Sequence, residues 1–296
     1  GSGTITIAPF NVLPAVRITG TSYTILDATV GGDLTHAVGA GDLNVFRCAV
    51  NGNCTLSGNS VRDFTGGLLD VAGNVVWQTV AVVNTPPSVV FCAGSWTANA
   101  SFQPTSGLVV FDGVGPKSVT MPAFAWNSLR IASTAQVATP LAVRTTGTLD
   151  VQGGLQSGGG DIECFGPMLV SGTVNAPNCL RVRAHAGLVV GGSVQAPQAF
   201  LDVDGDTDID GAVTLGNGNH LVTGSLTVAG SLAMPASQIV VFDGSGFVEV
   251  AASSPIPNVR FTGGAYQIDA LTVGQDLVQV SGVLAVRSCA VLRDAT

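Results

Sequence analysis

The segments "SVVFCAG" (88–94), "LVVFDG" (108–113) and "SLRIAST" (128–134) each alternate apolar with variable residues and stop at small ones. An alternation of period two is typical of a β-strand. Because a regular strand-and-turn unit cannot bury its apolar face alone, we expect each unit to stack on its neighbours, as in a solenoid. The units recur about twenty residues apart, at Val89, Val109, Leu129, Leu149, Leu169 and Leu188.

The composition favours strands over helices throughout the chain. Few windows of a dozen residues lack a Gly, a Pro or a group of β-branched residues, and a period of 3.6 never persists. Hydrophobic residues make up 46% of the chain and aromatic residues only 6%, so the predicted core is aliphatic. The 39 glycines separate short apolar runs and therefore predict turns.

Two distant parts of the chain are similar to each other. "VRITGTSYTILDATVGGDL" from Val16 and "VRFTGGAYQIDALTVGQDL" from Val259 are identical at 11 of 19 positions. Each is followed by an Arg and a Cys, so that 16–50 is related to 259–291. We infer that blocks of several turns were duplicated.

A second repeat supports the same inference. "VVFDG" occurs at Val109 and at Val240, and the segments 109–131 and 240–261 that follow from it are related. We expect a single elongated domain over residues 1–296. We interpret the opening "GSG" at 1–3 as a remnant of an expression vector.

Over residues 71–286 this pattern resembles a parallel β-helix, the architecture shared by pectin-lyase-like enzymes, phage tailspikes and filamentous adhesins. The resemblance is one of architecture and not of a signature motif. It implies an all-β, single-chain parallel β-helix, or β-solenoid, with turns of about twenty residues. The alternative is a β-sandwich or jelly roll, in which the same spacing would separate the strands of hairpins.

The stretch "LDVDGDTDIDG" (201–211) places an aspartate at every second position. In one continuous strand all five carboxylates would point to the same side, which predicts a solvent-exposed face. Asp206, Asp208 and Asp210, followed by Gly211, also match the start of a calcium loop, although the remainder departs from the EF-hand pattern. These three residues are therefore a candidate calcium site, and no other cofactor is predicted.

No catalytic motif is evident in the sequence. The Asn-Thr-Asp, Asp-Asp, Gly-His-Gly and Arg-Ile-Lys signatures of polygalacturonase-like hydrolases are missing. Arg181 and Arg183, together with His185, are the candidate bases for lyase chemistry, and we interpret them instead as a polar strand face. We predict no catalytic residue.

The tryptophans and the histidines also favour structural roles. Trp77, Trp96 and Trp126 would bind sugar rings if they were exposed in a line, but in an aliphatic core we expect them to be buried. The three histidines, His36, His185 and His220, lie too far apart for a metal-ligand motif.

Six cysteines are present, and two pairs are close in sequence. Cys48 with Cys54 and Cys164 with Cys179 are the predicted disulfides, which would fit an extracellular protein.

Charge excludes some classes of partner. The net charge is −8, with a single lysine and scattered arginines, so that no basic patch is available for nucleic acid. No apolar stretch is long enough for a transmembrane segment. Only 10% of the residues are charged, against about a quarter in typical soluble domains. We expect partners, or copies of the chain itself, to cover much of the surface.

These observations predict a non-enzymatic structural protein of a cell surface, extracellular layer or virion. It would act by β-stacking and self-association, as a homo-oligomer or assembly subunit. One alternative is a β-helix protein that binds or cleaves polysaccharide, with carbohydrate as its partner. Another is an adhesin stiffened by calcium.

Overall fold

A computed structural model of the chain describes residues 1–7, 11–78, 88–99, 102, 106–121, 126–216 and 218–292, apart from the side chains of 60–65. The part of the chain so described contains strands and no helix. Its strands pair in parallel and form a β-solenoid of about 13 turns, spaced about 20 residues apart. The predicted parallel β-helix is thus confirmed, and the hairpins of a sandwich or jelly roll are not found among these strands.

The chain divides into two compact units, 1–140 and 141–296. The single elongated domain expected from the sequence stays a prediction, and each unit is described by itself. The strands of unit 1 are β1 (Ser2–Thr6), β2 (Val16–Ile18), β3 (Ser22–Val30), β4 (Leu34–His36), β5 (Asp42–Val50), β6 (Cys54–Leu56), β7 (Ser60–Val71), β8 (Val75–Trp77), β9 (Val89–Cys92), β10 (Trp96–Ala98), β11 (Leu108–Phe111), β12 (Gly115–Thr120), β13 (Ser128–Ile131) and β14 (Ala135–Thr139).

Unit 2 is built from shorter strands. They are β15 (Val143–Thr145), β16 (Leu149–Val151), β17 (Gly154–Ser157), β18 (Ile162–Cys164), β19 (Met168–Val170), β20 (Thr173–Asn175), β21 (Arg181–Ala184), β22 (Leu188–Val190), β23 (Ser193–Ala196), β24 (Phe200–Val203), β25 (Thr207–Ile209), β26 (Ala212–Leu215), β27 (Asn219–Val222), β28 (Leu226–Val228), β29 (Ser231–Ala233), β30 (Ile239–Phe242), β31 (Gly246–Val250), β32 (Ile256–Phe261), β33 (Ala265–Gln279), β34 (Val283–Val286) and β35 (Cys289–Val291).

Equivalent strands of successive turns pair in register, which aligns their apolar residues in columns. In unit 1, Val109 lies opposite Val90 on one side and Leu129 on the other. All three point into the interior and are almost fully buried. Burying a Val or Leu side chain contributes about 1.5–3 kcal/mol, so repetition of such columns is the main stabilising term.

Unit 2 has three strands in a typical turn, for example β18, β19 and β20, and each belongs to a different parallel sheet. Met168 pairs with Leu149 and Leu188 and is fully buried, whereas Leu169 points outward with 38% exposure. The predicted series from Val89 to Leu188 is therefore out of register by one residue at Leu169, and also at Val89, since Val90 is the residue that pairs with Val109. Since side chains alternate across a strand, a shift of one residue exchanges inside for outside.

The glycines of unit 2 allow its turns to stack closely. A Cβ atom on Gly211 would lie 1.9 Å from the carbonyl oxygen of Gly192, and one on Gly230 would lie 1.9 Å from that of Gly211. Only glycine leaves room for the neighbouring backbone at this corner. The frequent glycines thus mark turns, as the sequence predicts, and some also set the spacing between them.

The tryptophans predicted to be buried are buried. Trp77 and Trp96 stack in the interior of unit 1 with ring centroids 5.9 Å apart, and Phe102 contacts both rings edge-on. Trp126 meets Trp96 at 5.5 Å in a T-shaped arrangement. All four rings are at most 2% exposed, so none of them offers a platform to a sugar.

The predicted disulfides are not formed, and all six cysteines are free thiols. Cys48 lies in register with Ala28 and Leu69, and Cys164 lies in register with Thr145 and Ala184. Parallel stacking thus places residues of other types directly above and below these two thiols. Burial raises the pKa of Cys48 to about 12, so its thiol behaves as a small apolar side chain.

Residues 1–3, expected from the sequence to be a vector remnant, take part in the fold. Ser2 and Gly3 belong to β1 and pair in parallel with Ser22 and Tyr23.

Candidate functional site

The aspartates of 201–211 do not stand in line along one strand. Asp202 lies on β24 and Asp208 on β25, and a turn that contains Asp204 and Asp206 separates these strands. Asp210 follows the end of β25. The expectation of a single strand is wrong, because the chain changes sheet within the stretch. The expected exposure to solvent is confirmed, since none of the five aspartates is buried.

Two residues of the candidate calcium motif already have roles in stacking. Asp206 accepts a hydrogen bond from the main-chain N–H of Ser225, at 2.8 Å, on the next turn. Gly211 provides the close approach between turns described above. Among the described residues no group of three or more His, Cys, Asp or Glu side chains is placed to hold a metal ion. Calcium binding by Asp206, Asp208 and Asp210 stays a prediction, for which chelation should lower the melting temperature.

A column of alternating charges crosses one sheet of unit 2. Arg144, Glu163, Arg183 and Asp202 occupy the same register position on β15, β18, β21 and β24. Arg144 Nε lies 3.2 Å from Glu163 Oε2, and Arg183 Nε lies 3.0 Å from Asp202 Oδ2. The second contact is an ion pair without an aligned hydrogen bond. We call these four residues the charge ladder.

A second column stands beside the charge ladder, one residue beyond the ends of β18, β21 and β24. The ring of His185 stacks on that of Phe165, with centroids 4.3 Å apart, and the Arg144 guanidinium lies 4.9 Å from the Phe165 centroid. His185 Nδ1 lies 2.8 Å from Asp204 Oδ2, and Nε2 lies 3.4 Å from Glu163 Oε1. Both ring nitrogens therefore face carboxylates.

This cluster holds its charges in mutual contacts. Arg183 also lies 3.9 Å from Asp204, and Arg181 pairs with Asp161 at 3.0 Å. Opposite charges on neighbouring strands stabilise a sheet, and repetition of the pattern fixes the register. The arrangement agrees with the interpretation of Arg181, Arg183 and His185 as a polar strand face.

The other two histidines lie in the interior. His36 is fully buried, and His220 is 1% exposed and accepts the main-chain N–H of Leu201 on Nδ1 at 3.0 Å. Burial lowers the pKa of His36 and lowers that of His220 to about 4. Both rings are therefore neutral near pH 7 and support the fold.

An open depression of about 370 Å³ lies beside β28 and β31. It is lined mostly by Ala and Val residues, and Glu249 is the one charged residue among those that line it. A lone carboxylate without a second acid or a base does not form a hydrolytic site.

The last turn of unit 2 exposes apolar residues. Leu284, Val286, Cys289 and Val291 follow the pattern of inward positions, yet Val286 is 54% exposed and Val291 43% exposed. The list of exposed large apolar residues in this region is Val278, Val280, Val283, Val286, Val291 and Leu292.

The charge ladder was missed by sequence reasoning, although its spacing of 19, 20 and 19 residues equals one turn. Aligning successive turns beneath one another would have revealed it.

Comparisons with protein-family models, with curated proteins and with solved structures gave no match. Within the described residues, no helix is long and apolar enough to span a membrane.

Proposed function

We propose that the protein is a non-enzymatic structural protein that works by β-stacking and self-association. Its place would be a cell surface, an extracellular layer or a virion. The observation that carries the proposal is an outward-facing pair of apolar residues in unit 2. Leu169 on β19 and Val189 on β22 lie in register and are 38% and 45% exposed.

The neighbouring residues of the same strands are covered, in contrast to this pair. Met168, Val170, Leu188 and Val190 point into the interior and are at most 1% exposed. Exposed apolar residues that lie side by side form a surface on which another chain can pack.

The chemistry of the chain supports the proposal as well. Five of the six thiols and two of the three histidines are sequestered, and the charges of the most polar cluster are paired with one another. With only 10% charged residues, the surface has few groups that would oppose association.

Sedimentation velocity of the purified protein over a hundredfold range of concentration tests the proposal. We expect species larger than the 29.7 kDa chain to increase with concentration. A single species of monomer mass at every concentration would contradict it.

A polysaccharide-binding or polysaccharide-cleaving protein is the second candidate. It is favoured by the stack of Phe165 and His185, which is flanked by the carboxylates of Glu163 and Asp204. Titration with pectin, alginate and chitin-type oligosaccharides, followed by calorimetry and by assays for new reducing ends, tests this candidate. The Asp204→Asn variant tests whether the site lies at this cluster, since binding or turnover there should be lost in this variant.

A further inference from the structure

Three neighbouring columns of outward side chains cover one sheet of unit 2. The charge ladder is the middle column, and the sign of its charge alternates from turn to turn. On one side of it Asp161, directly before β18, pairs with Arg181, the first residue of β21, at 3.0 Å. On the other side the rings of Phe165 and His185 stack.

The contacts within the sheet leave part of these charged groups exposed. The Arg144 side chain is 51% exposed, and those of Arg181 and Asp161 are 33% and 34% exposed. A guanidinium offers several N–H donors and a carboxylate several acceptor positions, so one contact within the sheet does not exhaust them. A facing surface with charges of opposite sign therefore adds contacts without breaking the charge ladder.

A second copy of the same sheet provides such a surface when the order of its turns is reversed. A two-fold rotation about an axis parallel to the strands brings the two sheets face to face and reverses that order. With the axis midway between β18 and β21, the charge ladder of each copy faces that of the other. Glu163 then faces Arg183 of the second copy, and Arg144 faces Asp202 of the second copy.

The flanking columns fit the same rotation. Asp161 faces Arg181 of the second copy, and Phe165 faces His185 of the second copy. Sheets that pack face to face stand about 10 Å apart, so long side chains and rings from both copies meet between them. Opposite charges in two neighbouring columns are thus brought together by a single rotation.

Other arrangements of two copies set like charges against each other. A two-fold axis along the direction in which the turns stack keeps their order. Within one turn the charges of neighbouring columns have the same sign, as with Asp161 and Glu163 or with Arg181 and Arg183. Moving the first axis onto β21 places Arg183 opposite Arg183. Like charges that face each other oppose association, so the reversed arrangement with its axis between β18 and β21 is favoured.

We infer that unit 2 forms a two-fold dimer through this sheet, with the turns of the two copies in opposite order. This inference rests on the proposed self-association and names one of its contacts. The occupant is a second copy because the order of signs in the charge ladder is its own complement when it is reversed. The net charge of the chain is −8, so two copies repel each other elsewhere, and this patch of mixed charge relieves the repulsion.

The two-fold contact leaves the outward apolar pair for a different role. An isologous contact uses the same surface on both copies and ends at a dimer. Leu169 and Val189 lie on β19 and β22, in another sheet, which this contact does not cover. Packing through that pair would join dimers into larger assemblies.

A charge swap tests the facing of Asp161 and Arg181. Two copies of the Asp161→Arg variant set positive charges against each other, and two copies of Arg181→Asp set negative ones, whereas one copy of each variant restores opposite pairs. Asp210→Arg and Arg17→Asp are matched controls, since both residues are exposed and lie outside these columns. Far-ultraviolet circular dichroism and thermal melting establish that the variants are folded.

Sedimentation equilibrium measures the association of each variant. We expect Asp161→Arg and Arg181→Asp each to associate about tenfold more weakly than the two controls, and their equimolar mixture to associate as the unsubstituted protein does. Arg144→Asp with Asp202→Arg is a second swap of the same design and should behave alike. These two residues lie three turns apart within one chain, so rescue by mixing comes from contact between copies.

The other outcomes separate this inference from the proposed function. If the swapped variants associate as strongly as the controls, self-association stands and the two-fold interface is wrong. If neither mixture associates better than its single variants, the interface is wrong as well. Equal weakening by Asp210→Arg would show a general effect of charge and would also contradict it. If the unsubstituted protein is monomeric at every concentration, the proposed function fails together with the inference.

Discussion

The side-chain oxygen of Asn74 accepts the main-chain N–H of Ser95, at 2.8 Å, on the next turn of unit 1. The main-chain N–H of Asn74 in turn donates to Asn53 Oδ1 at 3.0 Å, and that of Asn53 donates to Asp33 Oδ1 at 2.7 Å. Ser95 Oγ continues the series by accepting the N–H of Ser118 at 3.1 Å. This polar ladder satisfies the amides of Asn53, Asn74 and Ser95, which directly precede β6, β8 and β10.

The polar ladder predicts the effect of Asn74→Ala. The change removes the acceptor of the Ser95 amide, and we expect the free energy of unfolding to fall by about 1 kcal/mol, since the corner is partly open to water. Urea unfolding measures the difference. Asn51→Ala, at an exposed corner residue, is the control, and equal effects of the two changes would argue against the ladder.

Gly211 should not tolerate alanine. A Cβ atom there would meet the carbonyl oxygen of Gly192 at 1.9 Å, and we expect Gly211→Ala to cost about 2 kcal/mol or more through displaced backbone. A Cβ atom on Gly191 has no neighbour within 4 Å, so Gly191→Ala is the matched control. Melting temperatures that fall equally for both variants would contradict the stacking role of Gly211.

The charge ladder should contribute modestly and in a salt-dependent way. The side chains of Arg183 and Asp202 are 30% and 13% exposed, and we expect a coupling of about 1 kcal/mol or less. A double-mutant cycle with Arg183→Met and Asp202→Asn measures this coupling at low and at high salt. The coupling should shrink as salt rises, and a value that does not depend on salt would point to packing instead.

His220 makes stability depend on pH. Its pKa is lowered by burial from 6.5 to about 4, so the unfolded chain takes up a proton between these values and the folded chain does not. The contribution of His220 to the free energy of unfolding is fully present above pH 6.5. It declines toward pH 4, with a loss of up to about 3 kcal/mol.

The variant His220→Asn isolates this contribution, since its side-chain oxygen still accepts the Leu201 N–H. Its stability should decline less between pH 6.5 and 4 than that of the unsubstituted protein, as measured by urea unfolding at a series of pH values. Parallel curves would show that His220 is protonated equally in both states.

The sequence predicts those features that repeat once in every turn. Val109 and Leu129 are apolar, twenty residues apart and bounded by small residues, and this suffices for strand, turn and stacking. The position of the corners is less well determined. Asp202 and Asp208 belong to two sheets because the turn between their strands interrupts an otherwise perfect alternation.

Contacts between turns are harder to predict because they depend on the length of each turn. Arg144, Glu163, Arg183 and Asp202 attract one another only when the chain returns to the same register after 19 or 20 residues. If the predicted length of a turn is wrong by one residue, the residues of such a column no longer align. The cysteines illustrate the same difficulty, since Cys48 and Cys54 are close in sequence and the stacking gives Cys48 the neighbours Ala28 and Leu69.

The mass of the purified protein in solution tests the proposed self-association most directly. Light scattering over a hundredfold range of concentration should give a mass that rises above the 29.7 kDa of one chain. The Leu169→Lys, Val189→Lys double variant should associate less, because two charges then interrupt the outward apolar pair. The mass of a single chain at every concentration would contradict the account.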